Sequence, residues 1–419
     1  MNDPATVGPF AFAGVPRVVP RPAAELAPLL DWLRGGRPAG ERLDFAAGTV
    51  LPDGRLDLCK QSLGAEGAAL VADALRGGPD AERPSPVRHL LLGTDGLGDE
   101  GAAVAATTAT GTKGVETLYL GCNGITAGGA CRIADQLRAS PQVVTGVWLK
   151  RNPLGPRGGA AATELIESVR TLRTLDLVQT GLDAAGTAVL ADALLAAAAA
   201  GRRVERVFLG GNPLGPAGAA PLAELIAGGG VRELYVSAAQ LGDAGALRLA
   251  EGLERAPWGG LDRLAVASNG IGPRAAARLV AAAVAAGVEQ LDLGRVRAAG
   301  ALGATDNRVD DAAAAAIAGS LAAGEHRLAH LVLSHTGLRS REAHRLLETA
   351  ALALTPTRFV LGQGVAASVK RRLAVLSRGI PAPAVSADVA AVRSASSGRN
   401  RAGSGRRCRF PPARVLPAC

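Results

Sequence analysis

The chain has 419 residues, with 46 Lys and Arg against 37 Asp and Glu, a net charge of +9, and few aromatics: six Phe, three Trp and two Tyr. Its five cysteines (Cys59, Cys122, Cys131, Cys408, Cys419) form no CxxC pair and no metal-ligand spacing, which argues against a disulfide framework or a zinc site. No basic segment leads into a sustained apolar one at the N-terminus. The longest apolar stretches, 193–200 and 279–288, fall short of the ~20 residues that span a bilayer, so the expectation is a soluble, cytoplasmic protein.

Residues 1–42 are proline-rich and then carry Ala23-Ala-Glu-Leu-Ala-Pro-Leu-Leu-Asp-Trp-Leu33, which predicts a short amphipathic helix. We read this segment as an N-terminal cap, because the end of a repeat stack exposes a face that must be covered. Arg42-Leu-Asp-Phe45 and Leu56-Asp-Leu58 predict two opening strands separated by a Pro52-Asp-Gly54 turn.

From there to about Val365 one line is rewritten about ten times, most clearly as V115-E-T-L-Y-L-G-C-N-G-I-T-A-G-G. A period of this kind decides the fold before any local reading. Its second strand position is Leu58, Leu92, Leu120, Leu149, Leu177, Leu209, Val236, Val266, Leu293, Leu333 and, weakly, Leu361, at steps of 27 to 40 residues. The long steps hold a return loop extended at 77–86 and an insertion at 294–305, which must leave one rim. Each strand is followed by a helical stripe, as in Gly67-Ala-Ala-Leu70-Val71-Ala-Asp-Ala74-Leu75. Strands sit ~4.8 Å apart and helices ~8–10 Å apart, so a stack of such units bends with its strands inside. The fold class expected is therefore an α/β horseshoe solenoid, with parallel strands on the concave face and helices on the convex face.

After each strand comes a polar column: Gln61, Asp95, Asn123, Asn152, Thr180, Asn212, Ala239, Asn269, Asn307 and Thr336. A side-chain amide there can satisfy loop backbone groups turned away from water, and the turn at Ala239 should be weaker. With this spacing, and lines such as L175-D-L-V-Q-T-G-L-D-A-A-G, residues 43–365 resemble the ribonuclease-inhibitor-type leucine-rich repeat family. The resemblance implies protein–protein binding through the concave face, usually without a cofactor. The same repeat type also forms the body of the Ran GTPase-activating protein, which makes a GTPase-activating role the alternative reading. That protein ends in an acidic segment and this chain in a basic one.

Candidate chemistry is sparse. Gly96-Leu-Gly98-Asp-Glu-Gly101 spells a dinucleotide fingerprint, but its last two glycines recur as Gly64/Gly67, Gly155/Gly158, Gly215/Gly218 and Gly242/Gly245 and belong to the repeat. Gly210-Gly-Asn-Pro-Leu-Gly215 lacks the lysine of a phosphate loop. His330 and His335 face the concavity but lie too far apart along a strand to share a metal. We expect no catalytic residue, no cofactor and no metal.

The residue between the two strand leucines points into the concavity: Asp57, Leu91, Tyr119, Trp148, Asp176, Phe208, Tyr235, Ala265, Asp292, Val332. Both tyrosines stand in this one column, and Tyr119, Trp148, Phe208 and Tyr235 fall within five consecutive units. With Lys150, Arg151, Arg206 and Arg263 beside them, they form the expected partner-binding patch, a row of uncovered rings beside bases able to meet acidic groups. Beyond Ala366 stand eleven of the 46 bases and one acid, Asp388, which leaves 35 basic and 36 acidic residues upstream. Ala366–Leu376 predicts one more basic helix. From Arg378 the composition predicts a disordered tail able to contact acidic surfaces. The chain is expected to be monomeric, with a protein partner and no membrane span.

Overall fold

A computed structural model describes residues 18–76, 85–111, 114–139 and 143–397. One sheet runs through it in sequence order. Its strands are β1 (Leu43–Phe45), β2 (Gly48–Val50), β3 (Arg55–Asp57), β4 (His89–Leu91), β5 (Thr117–Tyr119), β6 (Gly146–Trp148), β7 (Thr174–Asp176), β8 (Arg206–Phe208), β9 (Glu233–Tyr235), β10 (Arg263–Ala265), β11 (Gln290–Asp292), β12 (His330–Leu333) and β13 (Arg358–Leu361). β1, β2 and β3 pair antiparallel, and every later pairing is parallel. The strands are short because only three or four residues per unit are needed to pass the turn to its neighbour.

Helices such as Gly64–Arg76, Ala127–Arg138 and Gly242–Arg255 follow the strands and stack side by side. Small residues let them approach. Gly159 in helix Gly158–Ser168 meets the backbone of Gly186 in helix Ala184–Ala199 so closely that a Cβ would overlap the Gly186 carbonyl. The strand leucines and helix alanines close a single buried core along the whole stack, which helix Ala27–Arg34 covers at the N-terminal end through Leu29, Leu30 and Leu33.

The polar column behaves as a ladder. Asn152 donates from Nδ2 to the Leu120 and Leu149 carbonyls, both at 2.9 Å, and its Oδ1 accepts from the Asn123 (2.9 Å) and Ile125 (3.1 Å) amides. Asn123, Asn212, Asn269 and Asn307 likewise bridge the carbonyls of two successive strands. The glycines of the apparent dinucleotide fingerprint also belong to the repeat. Gly64, Gly98, Gly155, Gly215 and Gly242 share a positive φ near 60°, and each donates its N–H to a carbonyl of the next unit's polar column. The chain is a leucine-rich-repeat horseshoe.

The 294–305 insertion contains one 3-10 turn, Gly300–Leu302. It folds back on the preceding unit through Val296 N–H to Ser268 Oγ (3.1 Å) and the Thr305 carbonyl to Gly270 N–H (2.9 Å). Most of the extended first return loop lies outside the described residues, as do Cys408, Cys419 and Phe410.

The expectation of a disordered tail from Arg378 is corrected over the described part. Beyond helix Ala367–Leu376 the chain turns back and forms a further helix, Ala387–Ser397, and the rest of the tail, 398–419, lies outside the described residues. Composition misled here because it averages over the basic residues and hides one short amphipathic segment.

Candidate functional site: the concave face

Parallel register aligns the candidate residues in one row: Leu91, Tyr119, Trp148, Asp176, Phe208, Tyr235 and Ala265 are successive partners from β4 to β10. Two residues back along each strand, a second row faces the same way: Arg55, His89, Thr117, Gly146, Thr174, Arg206, Glu233 and Arg263. Gly146 stands in that row for a steric reason, since the Trp148 indole lies across it and a Cβ would strike the ring. Gly93 clears the Tyr119 ring in the same way.

The rings form two groups. Phe208 and Tyr235 stack with centroids 4.3 Å apart and planes 9° from parallel, and the Tyr235 hydroxyl donates to Glu233 Oε2 at 2.6 Å. Burial pushes the Tyr235 phenol up to about 12. Tyr119 carries the Lys150 ammonium 5.0 Å above its ring. Asp176 lies between the groups and is buried; its carboxylate accepts from the Val178 amide at 2.8 Å. Loss of water raises its pKa to about 6, against the lowering effect of that amide and of Lys150. Asp57 and Asp292 cap the N–H two residues on in the same way, so aspartate in this row closes a turn.

The row of rings is not uncovered. Trp148 is only 2 % exposed and Leu91 is fully buried, because Val389 and Val392 of the C-terminal helix pack with them and with Cys59. Tyr119 and Phe208 flank that cluster half-buried. The returning segment crosses the strands in reverse order. Arg358 of β13 donates to the Ser377 carbonyl (3.3 Å), and His330 of β12 meets the Pro381 backbone. Arg263 of β10 donates to the Ala384 carbonyl. Asp388 then accepts from the Thr174 hydroxyl of β7 (2.6 Å) and lies 4.0 Å from the Arg206 guanidinium of β8. Arg55 of β3 reaches the Ala391 carbonyl at 3.4 Å.

The basic residues divide accordingly. Arg206 also pairs with Glu205 (3.1 Å) and Glu233 (3.5 Å), and Arg263 with Glu233 (3.7 Å), so both are engaged by the chain's own acids. Lys150 is half-buried over Tyr119, whereas Arg151 is exposed at the edge and held by Gln179 at 2.9 Å. Sequence reasoning missed Thr174, Glu233 and Gly146, which sit one alternation away from the row it followed. It also missed Asp388, Val389 and Val392. Their signal was the tail's lone acid set beside an apolar i, i+3 pair.

Among the described residues no group of three or more His, Cys, Asp and Glu is placed to hold a metal, and no helix is long and apolar enough to cross a membrane.

No protein-family model matches the sequence, and no curated protein matches it significantly. Among solved structures, the leucine-rich repeat-containing protein LegL7 from Legionella pneumophila is similar at 14% identity and a TM-score of 0.45, over 73% of this chain and 94% of that one. Rad7, solved in complex with Elc1 from yeast, is similar at 14% identity and a TM-score of 0.43, over 75% and 78%. The actin-binding site 2 of leiomodin-1 is similar at 17% identity and a TM-score of 0.33, over 42% and 91%. The fold assignment rests on the chain's own register and asparagine ladder.

Proposed function

We propose that the protein is a non-enzymatic scaffold of the ribonuclease-inhibitor-like repeat type, and that it binds a protein partner on the concave face. The observation that carries this reading is the cluster of Leu91, Trp148 and Cys59, flanked by Tyr119 and Phe208, which takes up the apolar side of a helix. Aromatic side chains gathered on a rigid surface concentrate binding energy. The ladder makes the surface rigid, since each unit's turn is bonded to the next. Cys59, Cys122 and Cys131 are free thiols, which supports a reducing, cytoplasmic setting.

The test is capture of partners from native lysate by the full chain and by Trp148→Ala and Tyr235→Ala variants. Each substitution is expected to weaken binding by about 2 kcal/mol, roughly thirtyfold, where the ring is a hot spot. Because both face the concavity, thermal unfolding should stay cooperative. Undiminished capture by both folded variants removes the site assignment.

A further inference from the structure

The C-terminal helix occupies the surface just assigned to a partner, and the manner of its seating defines what that surface accepts. Among its described side chains, over 387–393, Asp388, Val389, Ala391 and Val392 are buried, while Ala387, Ala390 and Arg393 face solvent. The apolar pair Val389/Val392, three apart, lies on one helix face and meets Leu91, Trp148 and Cys59. The acid one position earlier accepts from Thr174 and faces Arg206. In a tail otherwise made basic by eleven Lys and Arg, that single acid stands where the sheet presents a hydroxyl and a guanidinium.

Resting on the concave-face reading, we propose that the groove between β3 and β8 recognises a short amphipathic helix bearing an acidic residue directly before an apolar i, i+3 pair. The chain's own helix Ala387–Ser397 is its resting occupant, and a partner protein binds by presenting such a helix and displacing it. Tethering favours the resident helix, because an attached ligand acts at high effective concentration. Its anchors are two valines and one acid, with no aromatic among them. A partner helix with larger apolar anchors at the same two positions therefore has more of its own apolar surface to bury, with the half-buried Tyr119 and Phe208 beside the cluster left to receive it. The exchange exposes the tail and leaves the sheet unchanged.

Cys59 supplies a chemical reporter. It is buried in the cluster, its Sγ accepts from the Gly93 amide at 3.3 Å, and burial pushes its thiol pKa up. Two measurements on the full-length chain test the proposal. In the first, Cys59 alkylation by iodoacetamide, followed by peptide mass spectrometry, is compared between the wild type and a Val389→Asn/Val392→Asn variant; the variant is expected to react at least about tenfold faster, with Cys131 as an internal control that should not change. In the second, a fluorescein-labelled synthetic peptide of residues 380–397 is titrated into both proteins. It should bind the variant about tenfold or more tightly than the wild type, and adding Arg206→Glu to the variant should abolish that binding. Equal Cys59 rates together with equal peptide affinities overturn the proposal. A peptide that binds the variant regardless of Arg206→Glu overturns the acid-reading part. If the helix is released and rebinds as described while lysate partners ignore Trp148→Ala, the groove's helix specificity stands and the partner-binding function fails.

Discussion

Asp176 offers a measurement with a definite sign. Its carboxylate is buried in the concave row between Trp148 and Phe208, and loss of water raises its pKa from 3.8 to about 6. The folded state therefore holds a proton that the unfolded state has released between those two values. Stability falls as pH rises through that window and levels off above about 6. Two pKa units correspond to roughly 3 kcal/mol at neutral pH. Asp176→Asn removes the charge, and its Oδ1 can still accept from the Val178 amide. Allowing ~1 kcal/mol for burying new amide hydrogens, the variant should be more stable than wild type by about 2 kcal/mol at pH 8, with no gain left near pH 4. Urea unfolding at four or five pH values from 4 to 8 reads this directly. A stability difference that does not change with pH, or a less stable variant at pH 8, refutes the claim that Asp176 is desolvated.

Three further outcomes follow from the repeat itself. Asn152→Ala strips two carbonyls and two amides of a buried partner, and should cost roughly 3 kcal/mol in chemical denaturation. Gly159→Ala inverts an ordinary rule. Alanine normally gains about 1 kcal/mol over glycine in a helix, but here the Cβ would overlap the Gly186 carbonyl, so a loss of about 2 kcal/mol is expected in the same assay. At Ala239 the ladder lacks its amide acceptor, and the Asn212 N–H is left without the partner that Asn152 gives Asn123. Hydrogen exchange should show the Asn212 amide opening about tenfold or more faster than those of Asn123 and Asn269, and equal protection would count against the ladder as the source of turn stability.

The fold was legible because a repeat states its geometry many times over. Leu120, Leu149 and Leu177 gave the register, Asn123 and Asn152 the turn, and strand alternation put Tyr119, Trp148, Phe208 and Tyr235 in one row, where the structure has them. Less visible were features set by single contacts. After most strands a residue takes positive φ without being glycine, as Thr94, Cys122, Arg151, Gln179, Ser268 and His335 do. Nothing in those side chains announces it, because the requirement comes from the path between strand and polar column. The covering of Trp148 was hidden for a different reason. Asp388 lies 214 residues from Thr174, and a contact between a repeat and a non-repeating segment has no period to reveal it. The acid, the two valines and the sheet residues they meet become one pattern only when the strands are laid side by side.

That difference between repeated and unrepeated contacts bears on how the protein works. Within the solenoid, successive strands pair in register and most turn amides bond to the polar column of the next unit, so a local shift must propagate through the ladder or break it. The concave face is thus a fixed surface whose properties are set by which residue stands at each position: indole over Gly146, stacked rings at Phe208 and Tyr235, a hydroxyl at Thr174 and a guanidinium at Arg206. The returning segment is bound differently, through well-spaced polar contacts at Arg358, His330, Arg263, Thr174 and Arg55 and one small apolar cluster at Val389 and Val392. A structure built this way would confine the proposed exchange to the returning segment. Partner binding on the proposed scheme then costs the contacts of Asp388, Val389 and Val392 and no part of the repeat core, so a tenfold release of the tail should lower solenoid stability by only about 1.4 kcal/mol, with unfolding still cooperative.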